Sequence, residues 1–359
     1  MTTAFDPIDL SGTQLANRVA LAPMTRSRAF GPGNSPTDST VEYYRQRASA
    51  GLLITEAIQP SVLGQGYPDT PGLHSPEQVA AWRRVTDAVH AAGGRIFAQL
   101  MHGGRIGHPD LYPDGLVPVG ASPVAAPGRI YLHSGPAEYV VPRELTSDEI
   151  RATVTDFATA ARNAIEAGFD GVEVHGANGY LIHQFLAPNS NLRTDEWGGS
   201  VEGRIRFAVE VTRAVAAEIG AARTGIRLSP AIGLLGLDEP DPEPTYTALV
   251  AELDRLDLAY LSLIENTREF ARTVRKLYSG TLILTAATEN GTGAEELKLI
   301  EDGTADLITF GRLFLANPDL PARLRAGGPY NAPDRATFFG GGDQGYLDYP
   351  ALRRDDSAA

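Results

Sequence analysis

The sequence has 359 residues, of which 43% are hydrophobic and 21% charged, a balance typical of globular proteins. A net charge of −13 disfavours a nucleic-acid-binding surface, and the absence of cysteine excludes disulfides, thiolate catalysis, zinc–thiolate sites and iron–sulfur clusters. The seven histidines show no metal-binding spacing, so we predict no metal. No apolar run approaches the ~18–20 residues that a membrane span needs, and no signal-peptide pattern is present, so we predict a cytoplasmic location.

The predicted elements begin with a short hairpin, in which Ile8–Leu10 and Gln14–Leu15 flank the turn-forming Ser11-Gly12-Thr13. Apolar strand-like segments then alternate with helical ones, a pattern that indicates βαβ units and a parallel sheet. The eight predicted strands are Val19–Leu21, Leu52–Thr55, Ile96–Leu100, Gly171–His175, Thr224–Leu228, Ala259–Leu263, Leu282–Leu284 and Leu307–Phe310. We predict one α/β domain over residues 1–359, a (β/α)8 TIM barrel whose bottom the hairpin closes. An open doubly wound sheet would alternate similarly, but its GxGxxG motif after the first strand is missing.

Local signals also predict where several helices begin. Ser75-Pro76-Glu77 is typical of a helix start, and this helix should run to Gly93-Gly94. Thr146 and Glu149 form a capping box for a helix that ends near Gly168. Ser200 and Thr245 are predicted to open two more helices. The stretch from His102 to Pro142, rich in glycine and proline, is predicted to be an excursion over the barrel mouth after the third strand, with a small hairpin.

In such a barrel, residues at the C-terminal ends of the strands converge on one site. Half of these positions carry hydrogen-bonding side chains, and none is an obvious general base or nucleophile, which suits a site whose chemistry a cofactor supplies. In chain order they are Pro23, Met24, Thr25, Glu56, Ala57, Gln99, His175, Arg227, Ala286, Ala287, Gly311 and Arg312.

The most informative segment runs from Phe169 to Tyr180, where a buried strand ends in a histidine followed by an amide and a phenol. His175 and Asn178 are both donors that could bind one acceptor oxygen together. Tyr180 keeps its proton at neutral pH, because the ordinary pKa of tyrosine is about 10, and can give it to a developing carbanion. A lone histidine would more often be a core residue; the cluster favours a functional site.

The opposite rim is predicted to bind phosphate. Small residues after the seventh strand let backbone N–H groups approach an anion, and Gly311-Arg312 after the eighth strand adds a charged contact. A rim salt bridge is the alternative role for Arg312.

Several ordered stretches resemble the Old Yellow Enzyme family of flavin ene-reductases over nearly the whole chain. They are Leu15–Val19, Ala22–Arg26, Ile54–Ala57, Gln99–Leu100, His175–Leu186, Asn191–Ser200, Arg227–Pro230, Phe310–Arg312, Asn317–Leu320 and Gly345–Pro350. The resemblance implies bound FMN, NADPH or NADH as co-substrate, and ping-pong hydride transfer through flavin N5. The implied substrates are small electrophilic alkenes (enones, enals, maleimides and nitroalkenes), and the enzyme would be a monomer or homodimer with neither nucleic acid nor membrane as partner.

The resemblance also implies a role for each matching residue. Pro23, Met24, Thr25 and Ala57 would line the isoalloxazine, and Gln99 would bond its pyrimidine edge. Arg227 would lie near N1 and O2 of the flavin. The remaining implied roles are phosphate binding by Ala287, Gly311 and Arg312, binding of the substrate oxygen by His175 and Asn178, proton donation by Tyr180, and pocket walls formed by Tyr67, Met101 and Tyr346.

Three positions depart from the family pattern. Thr285-Ala286-Ala287 stands where a glycine is frequent, Met101 replaces a frequent tryptophan, and Leu237–Pro242 is an unfamiliar acidic connection. These departures leave the substrate range open.

Three alternatives remain at this level. A dienoyl-thioester reductase or amine dehydrogenase would carry cysteines for an iron–sulfur cluster and an added domain. A cofactor-free isomerase or lyase would need a strand-end base, for which Glu56 is the candidate. A non-catalytic barrel would serve as a binding module.

Overall fold

A computed structural model describes residues 2–289 and 291–352 of the chain. Near the N-terminus, β1 (Ile8–Leu10) and β2 (Thr13–Leu15) pair antiparallel, as predicted. Eight parallel strands then close into a barrel in chain order, and the last pairs with the first. They are β3 (Val19–Leu21), β4 (Leu52–Ile58), β5 (Ile96–Leu100), β10 (Gly171–Gly176), β11 (Thr224–Leu228), β12 (Tyr260–Ile264), β13 (Leu282–Thr285) and β14 (Leu307–Phe310). The predicted barrel is confirmed.

The barrel interior is filled by side chains rather than open. Phe97 and Tyr260 lie across it with ring centroids 5.6 Å apart. A Cβ atom on Gly225 would meet the Tyr260 ring at 2.5 Å, so glycine is required there. Leu10 and Leu15 of the hairpin belong to the same buried cluster, which confirms that the hairpin closes the bottom. The top of the barrel is therefore left for the site.

Ten helices surround or cap the barrel in the described residues. They are α1 (Asp38–Gln46), α2 (Pro76–Ala91), α3 (Ser147–Glu166), α4 (Leu181–Leu186), α5 (Val201–Ile219), α6 (Glu243–Asp254), α7 (Arg268–Leu277), α8 (Lys298–Glu301), α9 (Arg312–Ala316) and α10 (Leu320–Ala326).

Three of the four predicted helix starts are confirmed. The side chains of Ser75, Thr146 and Ser200 each accept a backbone N–H in the first turn of α2, α3 and α5. The fourth prediction is wrong, because α6 begins at Glu243, two residues before Thr245. Pro242 and Pro244 explain the difference, since the fixed φ of proline suits a first helical turn.

The segment after β5 lies over the barrel mouth, as expected. It contains β6 (Val119–Gly120), which pairs with β9 (Arg143–Glu144), and a hairpin of β7 (Arg129–Leu132) and β8 (Gly135–Glu138). The second barrel strand is longer than predicted and extends to Ile58. Glu56 and Ala57 therefore lie within β4, at a register shift between Ile54 and Ala57, rather than after it.

Candidate active site

A cavity of about 720 Å³ opens at the carboxyl end of the barrel. This volume lies within the roughly 300–1,000 Å³ of small-molecule and cofactor sites. The cavity brings together most of the predicted site residues, from opposite sides of the mouth. Those that line it are Pro23, Met24, Thr25, Ala57, Tyr67, Gln99, Met101, His175, Asn178, Tyr180 and Arg312.

His175 is the penultimate residue of strand β10 and is 4% exposed. Its Nδ1 accepts the backbone N–H of Ala177 at 3.3 Å, so Nε2 carries the hydrogen. Burial holds the pKa of this imidazole well below its usual range, and the positive charge of Arg227 acts in the same direction. His175 is therefore a neutral hydrogen-bond donor on the wall of the cavity.

Asn178 and Tyr180 lie in the turn that follows β10. Asn178 has a φ of +58°, a left-handed conformation that asparagine tolerates better than most residues. The hydroxyl oxygens of Tyr180 and Tyr67 are 3.2 Å apart. Burial raises the pKa of Tyr180, so this phenol stays protonated through the neutral range. The turn thus places an amide and a phenol beside His175.

A second polar group lies deeper, between strands β5, β10 and β11. Gln99 donates through Nε2 to Glu173 Oε1 at 2.7 Å. Arg227 donates to Ser262 Oγ at 2.9 Å and to Thr285 Oγ1 at 2.7 Å, but its buried Nε has no partner among the described residues. This leaves a charged donor close to the strand ends for an acceptor atom of a bound group.

Glu173 has a place in this network that the sequence reasoning did not assign. Its side chain is fully buried, and Oε2 lacks a partner in the described part of the chain. Burial raises the pKa of this carboxyl, against the lowering effect of Arg227 and Gln99. The sequence could have predicted this place for Glu173. It is an acid in an otherwise apolar strand, two residues before His175, and alternate residues of a strand face the same side.

Only part of the predicted phosphate site comes together. Arg312 lines the cavity, and a Cβ atom on Gly291 would lie 2.9 Å from its Nη2. Gly311, which precedes Arg312, lies next to Met24. A Cβ atom on Gly311 would be 3.6 Å from the Met24 sulfur. The sequence analysis did not predict that Gly291 lies beside Arg312. Its place after the seventh barrel strand, where the phosphate site was expected, could have indicated it.

Ala287 does not line the cavity, contrary to the expectation. Its backbone N–H donates to Glu265 Oε2 at 2.9 Å. Glu265 is 4% exposed and is also bound by Arg268, three residues further along the chain. The Ala287 N–H, which was expected to bind phosphate, is thus already bonded to the Glu265 carboxylate.

Tyr346 is also absent from the cavity wall, so its predicted place in the pocket is corrected. Its fully buried ring stacks on Tyr43 with centroids 4.4 Å apart and lies under the guanidinium groups of Arg26 and Arg28. Arg26 donates to the carbonyls of residues 337, 338 and 345, which turns the segment so that Phe338, Phe339 and Gly340 line the cavity instead.

Comparisons with known proteins agree with this geometry. The family model of the NADH:flavin oxidoreductase / NADH oxidase family matches residues 3–331. A 12-oxophytodienoate reductase 1 from Oryza sativa subsp. japonica is 43% identical, with 98% of this chain and 93% of the rice protein covered.

Two solved structures have the same architecture. Morphinone reductase in complex with tetrahydroNAD superposes with a TM-score of 0.93 at 44% identity, with 99% of both chains covered. An Old Yellow Enzyme homologue from Zymomonas mobilis gives a TM-score of 0.93 at 40% identity and covers 98% of this chain and 100% of its own.

Proposed function

Because the chain belongs to the NADH:flavin oxidoreductase / NADH oxidase family, within which it resembles the Old Yellow Enzymes, we propose that it is an FMN-dependent ene-reductase. The proposed substrates are small alkenes activated by a carbonyl or nitro group, and the reductant is NADPH or NADH. The single observation that carries the proposal is the grouping of His175, Asn178 and Tyr180 on one wall of the cavity, with Arg312 at its rim.

The residues present fit a flavin. Arg227 offers a buried positive donor for the pyrimidine end of the ring system, because its Nε has no partner among the described residues. Gln99, which lines the cavity, would bond the same end. Pro23, Met24, Thr25 and Ala57 would line the ring, and Gly311 and Arg312 would hold the phosphate. The chemistry that FMN supplies when bound is two successive hydride transfers at N5, first from the nicotinamide and then to the β-carbon of the alkene, in a ping-pong sequence.

His175 and Asn178 would bind the electron-withdrawing oxygen of the substrate. Two neutral donors aimed at that oxygen stabilise the negative charge that develops on it, and buried donors do so more strongly than water. Tyr180 would then give its proton to the α-carbon. Its raised pKa keeps that proton available at neutral pH.

The cofactor-free alternative is not favoured, because its candidate base lies outside the cavity wall. Glu56 is buried within β4 and accepts the backbone N–H of Arg26 at 3.3 Å. The amine dehydrogenase alternative needs cysteines that the chain lacks. The cytoplasmic location and the choice between monomer and homodimer stay predictions from the sequence.

The experiment is anaerobic turnover with a panel of enones, enals, maleimides and nitroalkenes, run once with NADPH and once with NADH. We expect consumption of the nicotinamide to depend on the alkene and to yield one saturated product for each nicotinamide oxidised. If no alkene in the panel is reduced by the flavin-loaded protein with either nicotinamide, the proposal is wrong.

A further inference from the structure

The acidic connection Leu237–Pro242, which has no role in the proposed reaction, carries a buried carboxylate. The side chain of Glu239 is only 4% exposed, and its Oε2 lies 2.9 Å from Nε2 of His183, whose side chain is 1% exposed. Tyr246 places its hydroxyl 3.0 Å from Glu239 Oε1 and 3.1 Å from His183 Nε2. A buried carboxylate at these distances needs donors on both of its oxygens.

The direction of these hydrogen bonds follows from the backbone. The N–H of Gly179 points at Nδ1 of His183, 3.1 Å away, and since an N–H can only donate, Nδ1 is the accepting nitrogen. Nε2 therefore donates to Glu239. The carboxylate also accepts the N–H of Ala231 at 2.8 Å and the hydroxyl of Tyr246. Burial opposes ionisation of Glu239, but the bond from His183 and these further bonds outweigh it and lower its pKa.

The hydrogen bonds that run from Glu239 through His183 end at Gly179. Gly179 lies between Asn178 and Tyr180, in the turn that contains these two residues of the proposed active site. Gly179 adopts its φ of +90° freely, but the φ of +58° at Asn178 costs a non-glycine residue free energy and is held by tertiary contacts. The N–H of Asn178 donates to Ser229 Oγ at 2.8 Å. A Cβ atom on Gly179 would meet the Leu235 Cβ at 2.9 Å, so the loop after β11 packs directly against the turn.

We propose that Glu239, acting through His183, is a positioning residue that holds the Asn178–Gly179–Tyr180 turn in place for oxygen binding and proton donation. The inference rests on the proposed function, because it gives the connection after β11 a part in that same site. Glu239 touches neither substrate nor cofactor; it orients the imidazole that fixes Gly179.

Glu239→Gln is the direct test. The carboxylate accepts His183 Nε2 and the Ala231 N–H on Oε2 and the Tyr246 hydroxyl on Oε1, and its negative charge strengthens all three bonds. The glutamine amide is neutral, and its NH₂ group faces either the Tyr246 hydroxyl, which must then accept, or the two N–H donors. The bond that orients the imidazole is therefore weakened, and with it the bond from the Gly179 N–H. Asp241→Asn is the matched control, since Asp241 is an exposed acid in the same connection. Tyr246→Phe removes one of the three donors and serves as the second variant should Glu239→Gln fold poorly.

The measured quantity is the ratio of kcat/KM for 2-cyclohexenone to that for 1-nitrocyclohexene. A nitronate product can take its proton from water, whereas the enone depends on Tyr180, so a displaced turn lowers the ratio. A loss of folded protein lowers both rates equally and leaves the ratio unchanged. We expect Glu239→Gln to lower the ratio about 10- to 100-fold, as for a small misplacement of a reacting group, Tyr246→Phe to lower it less, and Asp241→Asn to leave it at the parent value.

Binding of cyclohexanone, measured by ligand-observed NMR, provides a second readout that needs no turnover. We expect Glu239→Gln to raise its Kd about tenfold through the displaced Asn178, with flavin content unchanged. Parent values of both the ratio and the Kd in Glu239→Gln and Tyr246→Phe would overturn the inference. A parent protein that reduces neither alkene would instead contradict the proposed function, and the cyclohexanone titration alone would then decide on Glu239.

Discussion

Tyr180 is the residue whose proposed role is limited to one half-reaction, the reduction of the alkene. Its half-buried side chain places the hydroxyl 3.2 Å from that of Tyr67, and the hydroxyl keeps its proton because its pKa is raised. We predict that Tyr180→Phe slows reduction of enones by about 100-fold or more, the low end of what a general acid contributes. Reduction of the flavin by NADPH should stay within about twofold, since that step needs no proton donor from this residue.

Stopped-flow measurement of the two half-reactions checks this prediction. His175→Ala is the comparison, because it removes a donor from the shared pocket and should slow both half-reactions. Enone turnover by Tyr180→Phe at the parent rate would assign the proton to another donor.

Glu56 gives a prediction for stability rather than for activity. Burial raises the pKa of its carboxyl from 4.5 to about 7, against the lowering effect of the Arg26 N–H and the charges of Arg26 and Arg28. Between these two values the folded protein binds the proton that the unfolded chain has lost. The free energy of unfolding therefore falls as pH rises through this window, by up to about 3 kcal/mol.

Glu56→Gln should remove this dependence, because the amide does not titrate and still accepts the Arg26 N–H. Urea unfolding at pH 5 and pH 8 checks it: the loss of stability between the two values should be smaller in the variant than in the parent. The exposed Asp241→Asn variant should follow the parent. Equal losses in parent and Glu56→Gln would show that the carboxyl is charged throughout.

The sequence predicted correctly the positions of those side chains that depend only on where one strand ends. His175, Asn178 and Tyr180 are set by where β10 stops, and the structure brings them together on the cavity wall. Ala287 and Tyr346 were misplaced because their positions depend on partners far along the chain. Glu265 takes the N–H of Ala287, and Arg26 fixes the segment that contains Tyr346.

At the scale of elements, the caps show how local signals and proline compete. The Thr146 side chain accepts the N–H of Glu149, and the Glu149 carboxylate accepts the N–H of Thr146. Both bonds lie within four residues, so the sequence alone predicts them. The start of α6 was misjudged because threonine is a frequent cap, but Pro242 and Pro244 move the helix start upstream.

Thr146→Ala should lower the free energy of unfolding by about 1 kcal/mol, the usual value of a lost N-cap, without altering the cavity. Thr155→Ala is the matched control, since Thr155 lies on the exposed side of the same helix α3. Urea midpoints of the two variants give the comparison. A Thr146→Ala midpoint equal to that of Thr155→Ala would mean that the capping box adds no stability.

At the scale of the whole molecule, the alternation of strands and helices predicted eight barrel strands, and all eight are present. Closure of the barrel depends on the pairing of β14 with β3. The paired residues lie almost 300 positions apart in the sequence, so no local sequence pattern predicts this pairing. The N-terminal hairpin closes the bottom through Leu10 and Leu15, and the excursion after β5 covers the top. Together they frame the cavity of about 720 Å³ at the carboxyl ends of the strands.

We propose that this cavity binds FMN and that the bound flavin accepts hydride from a nicotinamide. The direct measurement is the visible spectrum of the purified protein before and after anaerobic addition of NADPH or NADH, with identification of the flavin released on denaturation. We predict a yellow protein that releases FMN rather than FAD and loses its absorbance when the nicotinamide is added. A protein that binds no flavin, even after incubation with excess FMN, would rule out the proposed flavin site.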